Sequence, residues 1–174
     1  MMLDALGNWL ATFGFIELMN AYDWLWPLCE MIHFIGMALL IGSVGLLDFR
    51  VLGFGKGLPI ARLEALVPLG IAGFVANSVT GFMFVAGNAT GGPQAYLTNL
   101  AFQIKVILML LAGINAIAFY FTGISREMAT LGPVDEAPKN AKIVAAASLV
   151  LWISVIMFGR LIMYNDTLLW FLGI

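Results

Sequence analysis

The amino-acid sequence predicts an all-α integral membrane protein: a bundle of four transmembrane helices, preceded by an amphipathic helix that lies on the membrane surface. The 174 residues are 62% hydrophobic and 10% charged, whereas soluble domains average about 45–50% apolar and about 25% charged residues. The apolar residues form four runs, each long enough for the roughly 20 residues that a helix needs to cross a bilayer. Outside these runs, the lysines and arginines are confined to two connecting segments.

Residues 3–22 form the predicted interfacial helix. Their apolar side chains recur at roughly helical spacing, at Leu6, Trp9, Leu10, Phe13 and Ile16. Polar residues interrupt the segment too often for a span, so we expect a helix in the plane of the interface. The alternative is a frayed terminus.

The four predicted spans follow in order within a single membrane domain, residues 1–174. They cover about 24–48, 62–87, 96–121 and 143–164. Trp24 and Trp26, at the entrance of the first span, are typical of the aromatic belt at a membrane surface. In the second span, Gly70, Gly73 and Gly81 share one face, which predicts a seam where a neighbouring helix approaches closely.

The basic residues predict the orientation of the chain. Those outside the membrane core border the first connection or lie in the third: Arg50, Lys56, Arg62, Arg126, Lys139 and Lys142. Positive charge marks the cytoplasmic side, so both termini are expected on the outer, periplasmic side. The net charge of −2 does not favour a nucleic-acid partner.

Polar residues of all four spans are expected at one depth. His33 lies about 9 residues into the first span, roughly 13 Å from its outer end at the helical rise. Lys105 lies about as deep in the third span, and Arg160 lies near the outer end of the fourth. Asn77 and Thr80 fall in the outer half of the second span. Charged residues inside a membrane are costly and mark function by default.

One interpretation of this layer is a haem b site. His33 would be the axial ligand of the iron, and Lys105 and Arg160 would neutralise the propionates. Because His33 is the only histidine, the sixth position would be empty, or filled by another chain or by a methionine such as Met163 or Met157.

A second interpretation is a copper site. Cys29, His33 and Met37 follow one another at i, i+4 and i+8, so they lie along one stripe of the helix. Thiolate, imidazole and thioether ligands suit Cu(I). The nearby cations Lys105 and Arg160 oppose the binding of a metal cation.

A third interpretation is that no cofactor binds. His33 would then hydrogen-bond a neighbour such as Glu30 or Asn77, and the layer would hold satisfied polar groups. At the cytoplasmic end, the sequence predicts an ion-pair lock between the first two spans. Its members are Asp48, Arg50, Arg62 and Glu64.

Three stretches resemble those of small bacterial inner-membrane proteins of the copper-resistance D (CopD)-like type, which are similar to cytochrome b561-type four-helix proteins. One is His33 followed by a Gly-rich run and then Leu47–Gly53. The others are Gln103–Lys105 leading to Asn115, and Gly159 with Arg160. The resemblance covers roughly residues 24–165. It implies a bacterial inner-membrane location and a link to haem or copper handling.

The expected function is therefore a membrane-embedded subunit that binds a cofactor or transfers electrons, with haem b on His33. We expect no catalytic activity of its own, since no nucleotide loop, paired-carboxylate motif or nucleophile beside a base is visible. The alternatives are a copper-handling membrane protein and a non-catalytic structural subunit. Expected partners are the lipid bilayer and either second copies of the chain or other membrane subunits.

Overall fold

The computed structural model describes residues 2–88, 90–132 and 135–173. It is 80% helical, with no strand in the part of the chain that it describes. Within these residues, ten α-helices and one 3₁₀ turn follow in order: α1 (Met2–Ala11), α2 (Phe15–Ala21), α3 (Leu25–Val51), α4 (Ile60–Glu64), α5 (Val67–Ala86), α6 (Gln94–Leu97), α7 (Leu100–Phe121), α8 (Ile124–Ala129), α9 (Lys139–Leu161), a 3₁₀ turn (Ile162–Tyr164) and α10 (Asn165–Leu172).

Four helical segments are long and apolar enough to cross a membrane, which confirms the predicted class. They are Leu25–Val51, Ile60–Ala86, Leu100–Phe121 and Lys139–Leu172. We call the end of the bundle where α3 begins and α9 ends the His33 end. The opposite end, where α3 ends and α9 begins, is the Arg50 end.

The N-terminal segment forms two helices where the sequence predicted one. The break falls at Gly14, whose φ of 68° lies in the left-handed region that glycine adopts without strain. Helix α1 packs at the His33 end, where Leu10 is buried with Val85 and Leu97. Gln94 of α6 donates a hydrogen bond to the side-chain oxygen of Asn8, with 3.0 Å between the two atoms.

The spanning helices begin and end at residues that differ from the expected bounds. The first continues to Val51 rather than 48, so both members of the Asp48–Arg50 pair lie within it. The third begins at Leu100 rather than 96, because the side chain of Asn99 accepts the backbone N–H of Phe102 at 3.1 Å and caps the helix.

The fourth spanning segment turns near its end and continues as α10. Asn99 donates its side-chain N–H to the Ile162 carbonyl at 2.9 Å, and the Asn165 side chain accepts the Leu100 N–H at 3.0 Å. These two contacts hold the 3₁₀ turn against the beginning of α7. The third and fourth spans are also joined in their Arg50 half, where Asn115 donates to the Val144 carbonyl at 3.1 Å.

Helix α3 is the central element. It packs along α5 on one side and against α9 on the other, and α9 in turn packs along α7. The spans thus follow the spatial order α5, α3, α9, α7, and the consecutive spans α5 and α7 are not a packed pair within the described residues.

The seam between α3 and α5 is built on glycines, as the sequence predicted. A Cβ added to Gly36 would lie 2.8 Å from the Gly73 carbonyl oxygen and 2.8 Å from the Asn77 side-chain nitrogen. A Cβ added to Gly73 would collide with the Gly36 carbonyl oxygen and lie 2.9 Å from the Leu40 backbone nitrogen. The two backbones approach this closely only because neither position carries a side chain.

Candidate functional site

The best-defined polar contact inside the bundle joins His33 of α3 to Thr80 of α5. His33 Nδ1 lies 2.8 Å from Thr80 Oγ1. The Thr80 hydroxyl also lies 2.8 Å from the Ala76 carbonyl oxygen, to which it donates. A hydroxyl has a single proton. When Thr80 donates that proton to the Ala76 carbonyl oxygen, its oxygen can only accept from His33, so the imidazole donates its Nδ1–H to Thr80. The neutral ring then carries its lone pair on Nε2.

Thr80 takes the place of the two partners that the sequence suggested for His33. Glu30 instead accepts the Trp26 ring N–H at 3.2 Å. Asn77 donates to the Gly73 carbonyl one turn back at 3.1 Å. The expectation that His33 pairs with Glu30 or Asn77 is therefore wrong, because the rotation of α5 about its axis presents Thr80 to the imidazole instead.

An aromatic ring and a glycine complete the α5 side of the imidazole. The ring centroids of His33 and Phe84 are 5.5 Å apart. A Cβ built on Gly81 would lie 3.8 Å from His33 Cε1, an ordinary van der Waals distance. The ring is thus held by a hydrogen bond at Nδ1 and by packing, while Nε2 makes no described hydrogen bond.

Lys105 brings a positive charge to the same region from α7. Its side chain runs along Gly159 of α9, where an added Cβ would lie 3.5 Å from Nζ and 3.6 Å from Cε. Its charge acts on the His33 imidazole. Among the described residues, no hydrogen bond or ion pair engages the Lys105 ammonium. Two pairs of spans thus contribute to this region: α3 and α5 through His33 and Thr80, and α7 and α9 through Lys105 and Gly159.

Arg160 and the candidate methionine ligands lie further out. Arg160 is exposed, with its guanidinium carbon 5.7 Å from the centre of the Tyr164 ring. Met163 and Met157 are 74% and 57% exposed, and no described contact joins either of them to His33. The charge of Lys105 thus acts on His33, whereas no described contact brings a methionine of α9 or of the 3₁₀ turn to the imidazole.

Cys29 lies one helical turn from His33 and is buried, with 3% of its surface exposed. Its Sγ lies 3.7 Å from the Sδ of Met83 on α5. The sequence argument grouped Cys29 with Met37 on the same helix and missed Met83. The spacing contained a signal, since Thr80 and Met83 are three residues apart and face the His33–Cys29 stripe together. The described residues contain no group of three or more His, Cys, Asp or Glu side chains suited to a metal.

The Arg50 end holds a second set of polar contacts. Arg50, 1% exposed, donates to the carbonyl oxygens of Leu58 at 3.0 Å and Gly132 at 3.5 Å, and so contacts both loops of this end. Glu136 accepts from Lys56 at 2.9 Å and from Lys142 at 3.3 Å.

The described contacts at this end do not include the predicted ion-pair lock of Asp48, Arg50, Arg62 and Glu64. Glu64 accepts a long hydrogen bond of 3.5 Å from Ser125 of α8. The ion pairs described here are those of Glu136, an acid of the third connection that the sequence argument did not single out. The pair of Lys56 and Glu136 joins the first connection to the third, and Lys142 at the beginning of α9 adds a second ion pair to Glu136.

The comparisons with known proteins add no relative. No family model, no curated protein and no solved structure matches the chain.

Proposed function

We propose that this chain is a membrane-embedded, haem-b-binding electron-transfer subunit in which His33 Nε2 is the axial ligand of the iron. The observation that carries the proposal is the anchoring of Nδ1 on Thr80 Oγ1 at 2.8 Å. Histidines that bind metals almost always donate their other ring N–H to a fixed acceptor, which sets the tautomer and the orientation of the ring. His33 has this arrangement inside a four-helix membrane protein.

Lys105 supports the same proposal, because a haem brings two carboxylates into the membrane. An ammonium on α7 that is not engaged by any described residue, and that runs along Gly159 of α9, suits one propionate. Arg160 is a candidate for the other, since its guanidinium is exposed and stacked on Tyr164. When bound, the haem would supply one-electron chemistry. Thr80 holds the imidazole, Lys105 and Arg160 supply the cations, and apolar side chains of the spans would surround the haem.

The environment of the proposed subunit follows from its two ends. We propose that the Arg50 end faces the cytoplasm, because Lys56, Lys139 and Lys142 lie there. Both termini are then periplasmic, with α1 and α2 in the membrane interface, where Trp9 and Phe13 are about half exposed. The bacterial inner membrane, and the CopD-like resemblance that implies it, belong to this proposal.

An absorption spectrum of the detergent-purified protein, oxidised and then reduced, tests the haem proposal. We expect a Soret band that shifts on reduction and that is lost in His33→Ala. In Thr80→Val, which keeps the shape but removes the acceptor of Nδ1–H, we expect haem affinity to fall by about 10- to 100-fold. Thr80→Ser restores the hydroxyl and should restore most of the affinity.

Cys29→Ser is the matched control, because Cys29 lies on the same helix one turn away and contacts Met83 rather than Thr80. It should leave the Soret band intact. Wild-type protein that folds but takes up no haem when reconstituted would contradict the proposal. So would a Soret band that persists unchanged in His33→Ala.

One observation favours copper as a second candidate. Two sulfur ligands at about 2.3 Å from a tetrahedral metal ion lie roughly 3.7–3.8 Å apart, and the Cys29 and Met83 sulfur atoms are 3.7 Å apart. A copper protein of this kind would use Cys29, Met83 and His33. It would lose bound Cu(I) in Cys29→Ser and in Met83→Leu, while Met37→Leu would retain it. Metal analysis of the sample used for the spectrum separates the two candidates.

A further inference from the structure

A carboxyl group on the other half of α3 plays no part in the proposed haem site. Asp48 is 8% exposed and lies some 15 residues from His33 along α3, roughly 22 Å at the helical rise. Its Oδ2 is fully shielded and accepts no hydrogen bond from the described residues. On the side of α9, the Ser148 hydroxyl faces the carboxyl and can donate a hydrogen bond to it. Asp48 is thus nine-tenths buried at the α3–α9 interface, with one oxygen unpartnered.

The described groups that face Asp48 from the other helices are neutral or acidic. Tyr120 of α7 and Glu64 of α4 face the same region, and both Asp48 and Glu64 act on the Tyr120 hydroxyl. Ser148 of α9 is neutral. Arg50, two residues along α3, directs its described hydrogen bonds to the carbonyl oxygens of Leu58 and Gly132, on the loop side. The titratable groups that face Asp48 from α4 and α7 are therefore an acid and a phenol.

A carboxylate in this position would be a buried charge inside a membrane helix bundle, which is strongly unfavourable without a partner. A neutral carboxylic acid removes that cost. It also keeps the Ser148 hydrogen bond, since the carbonyl oxygen of the acid still accepts. The buried apolar cluster at the Arg50 end includes Leu47 and Val51, which flank Asp48 along α3, and Ala145 of α9. These neighbours offer no polar group to a charged carboxylate.

We infer that Asp48 is a proton-binding site in the Arg50 half of the membrane, with its carboxyl group carrying the proton at neutral pH. The ligand is the proton itself, held on a carboxyl oxygen between α3 and α9. This inference is independent of the haem proposal, because it depends on a different pair of helices and on no residue of the His33 region.

Infrared difference spectroscopy of the purified full-length protein tests the inference. Subtracting the spectrum of Asp48→Asn from that of the wild type at neutral pH should reveal the C=O stretch of one neutral carboxylic acid. Asp166→Asn is the control, because Asp166 is exposed in the first turn of α10. Its difference spectrum should contain no band of a neutral carboxylic acid. Carboxylate bands without an acid band for Asp48→Asn would overturn the inference.

A second variant keeps the test decisive if Asp48→Asn does not fold. Ser148→Ala retains the carboxyl but removes its hydrogen bond, so the acid band of the wild type should move to higher frequency without losing intensity. A spectrum in which Ser148→Ala leaves every acid band in place would count against the site. The spectra are recorded in sodium-containing buffer at constant pH, and an acid band that appears only when sodium is removed would overturn the inference, because Asp48 would then hold a metal cation in place of the proton.

Discussion

The two ends of helix α3 use polar residues in opposite ways. Near its beginning, His33 makes one hydrogen bond to Thr80, and its second nitrogen and the nearby Lys105 ammonium are engaged by no described residue. Near its end, Arg50 is buried and donates to carbonyl oxygens of two different loops. Polar groups inside a membrane that make few hydrogen bonds with the protein are candidates for a functional site. Polar groups that donate to the backbone of loops have a structural role.

The difference follows from what surrounds each end. The Arg50 end contains the larger buried apolar cluster, contributed by α3, α4, α7, α8 and α9. Its loops must satisfy their carbonyl groups where water is excluded, and Arg50 does this for Leu58 and Gly132. At the His33 end, α1, α2, α6 and α10 surround the ends of the spans. There, the Lys105 ammonium makes no hydrogen bond or ion pair with the described residues.

The largest effect is expected from Arg50→Met, which keeps much of the side-chain volume but leaves the two loop carbonyls without their donor. Hydrogen bonds to charged groups contribute about 1.5–3 kcal/mol each, so we expect the free energy of unfolding to fall by roughly 3 kcal/mol. Denaturant unfolding in detergent measures it. Haem binding by the surviving folded protein should be unchanged, and a variant as stable as the wild type would show that Arg50 is not structural.

An intermediate effect is expected where α3 and α5 touch. Gly36→Ala places a methyl group 2.8 Å from the Gly73 carbonyl oxygen and from Asn77, and overpacking of this kind costs about 1–3 kcal/mol. Gly42→Ala on the same helix is the matched control, because an added Cβ there meets no atom within 4 Å. It should be neutral, or stabilising by up to about 1 kcal/mol through helix propensity. Equal unfolding midpoints for the two variants would argue against the close seam.

The smallest effect is expected at Glu136, which is exposed. Hydrogen bonds from Lys56 and Lys142 hold the pKa of its carboxyl below the usual value. Since the depressed pKa belongs to the folded state, the stabilisation is present above the ordinary carboxyl pKa and is lost as the pH falls through the lowered one. Glu136→Gln should therefore lower the melting temperature slightly at neutral pH and low salt.

The same difference in melting temperature should vanish in strong acid or at high ionic strength, because the carboxylate is then protonated or screened. Comparing thermal unfolding of both proteins across pH and salt gives the answer. A difference that persists in acid would mean that Glu136 acts through something other than its charge.

The amino-acid sequence by itself determined the number of spans and the glycine seam. The spans follow because an apolar run of about 20 residues leaves a membrane chain no alternative to a helix. The seam follows because residues three and four apart share a helix face, which placed Gly70, Gly73 and Gly81 together. Periodicity also placed Cys29 and His33 on one stripe.

Only the tertiary structure decided which residues of different helices meet. The rotation of each helix about its axis brings Thr80, rather than Glu30 or Asn77, to His33, and Met83, rather than Met37, to Cys29. Helical periodicity relates residues within a helix but sets neither the rotation nor the relative height of two packed helices. The close approach of the Gly36 and Gly73 backbones is one of the contacts that set them, and the resulting arrangement places Thr80 Oγ1 at His33 Nδ1.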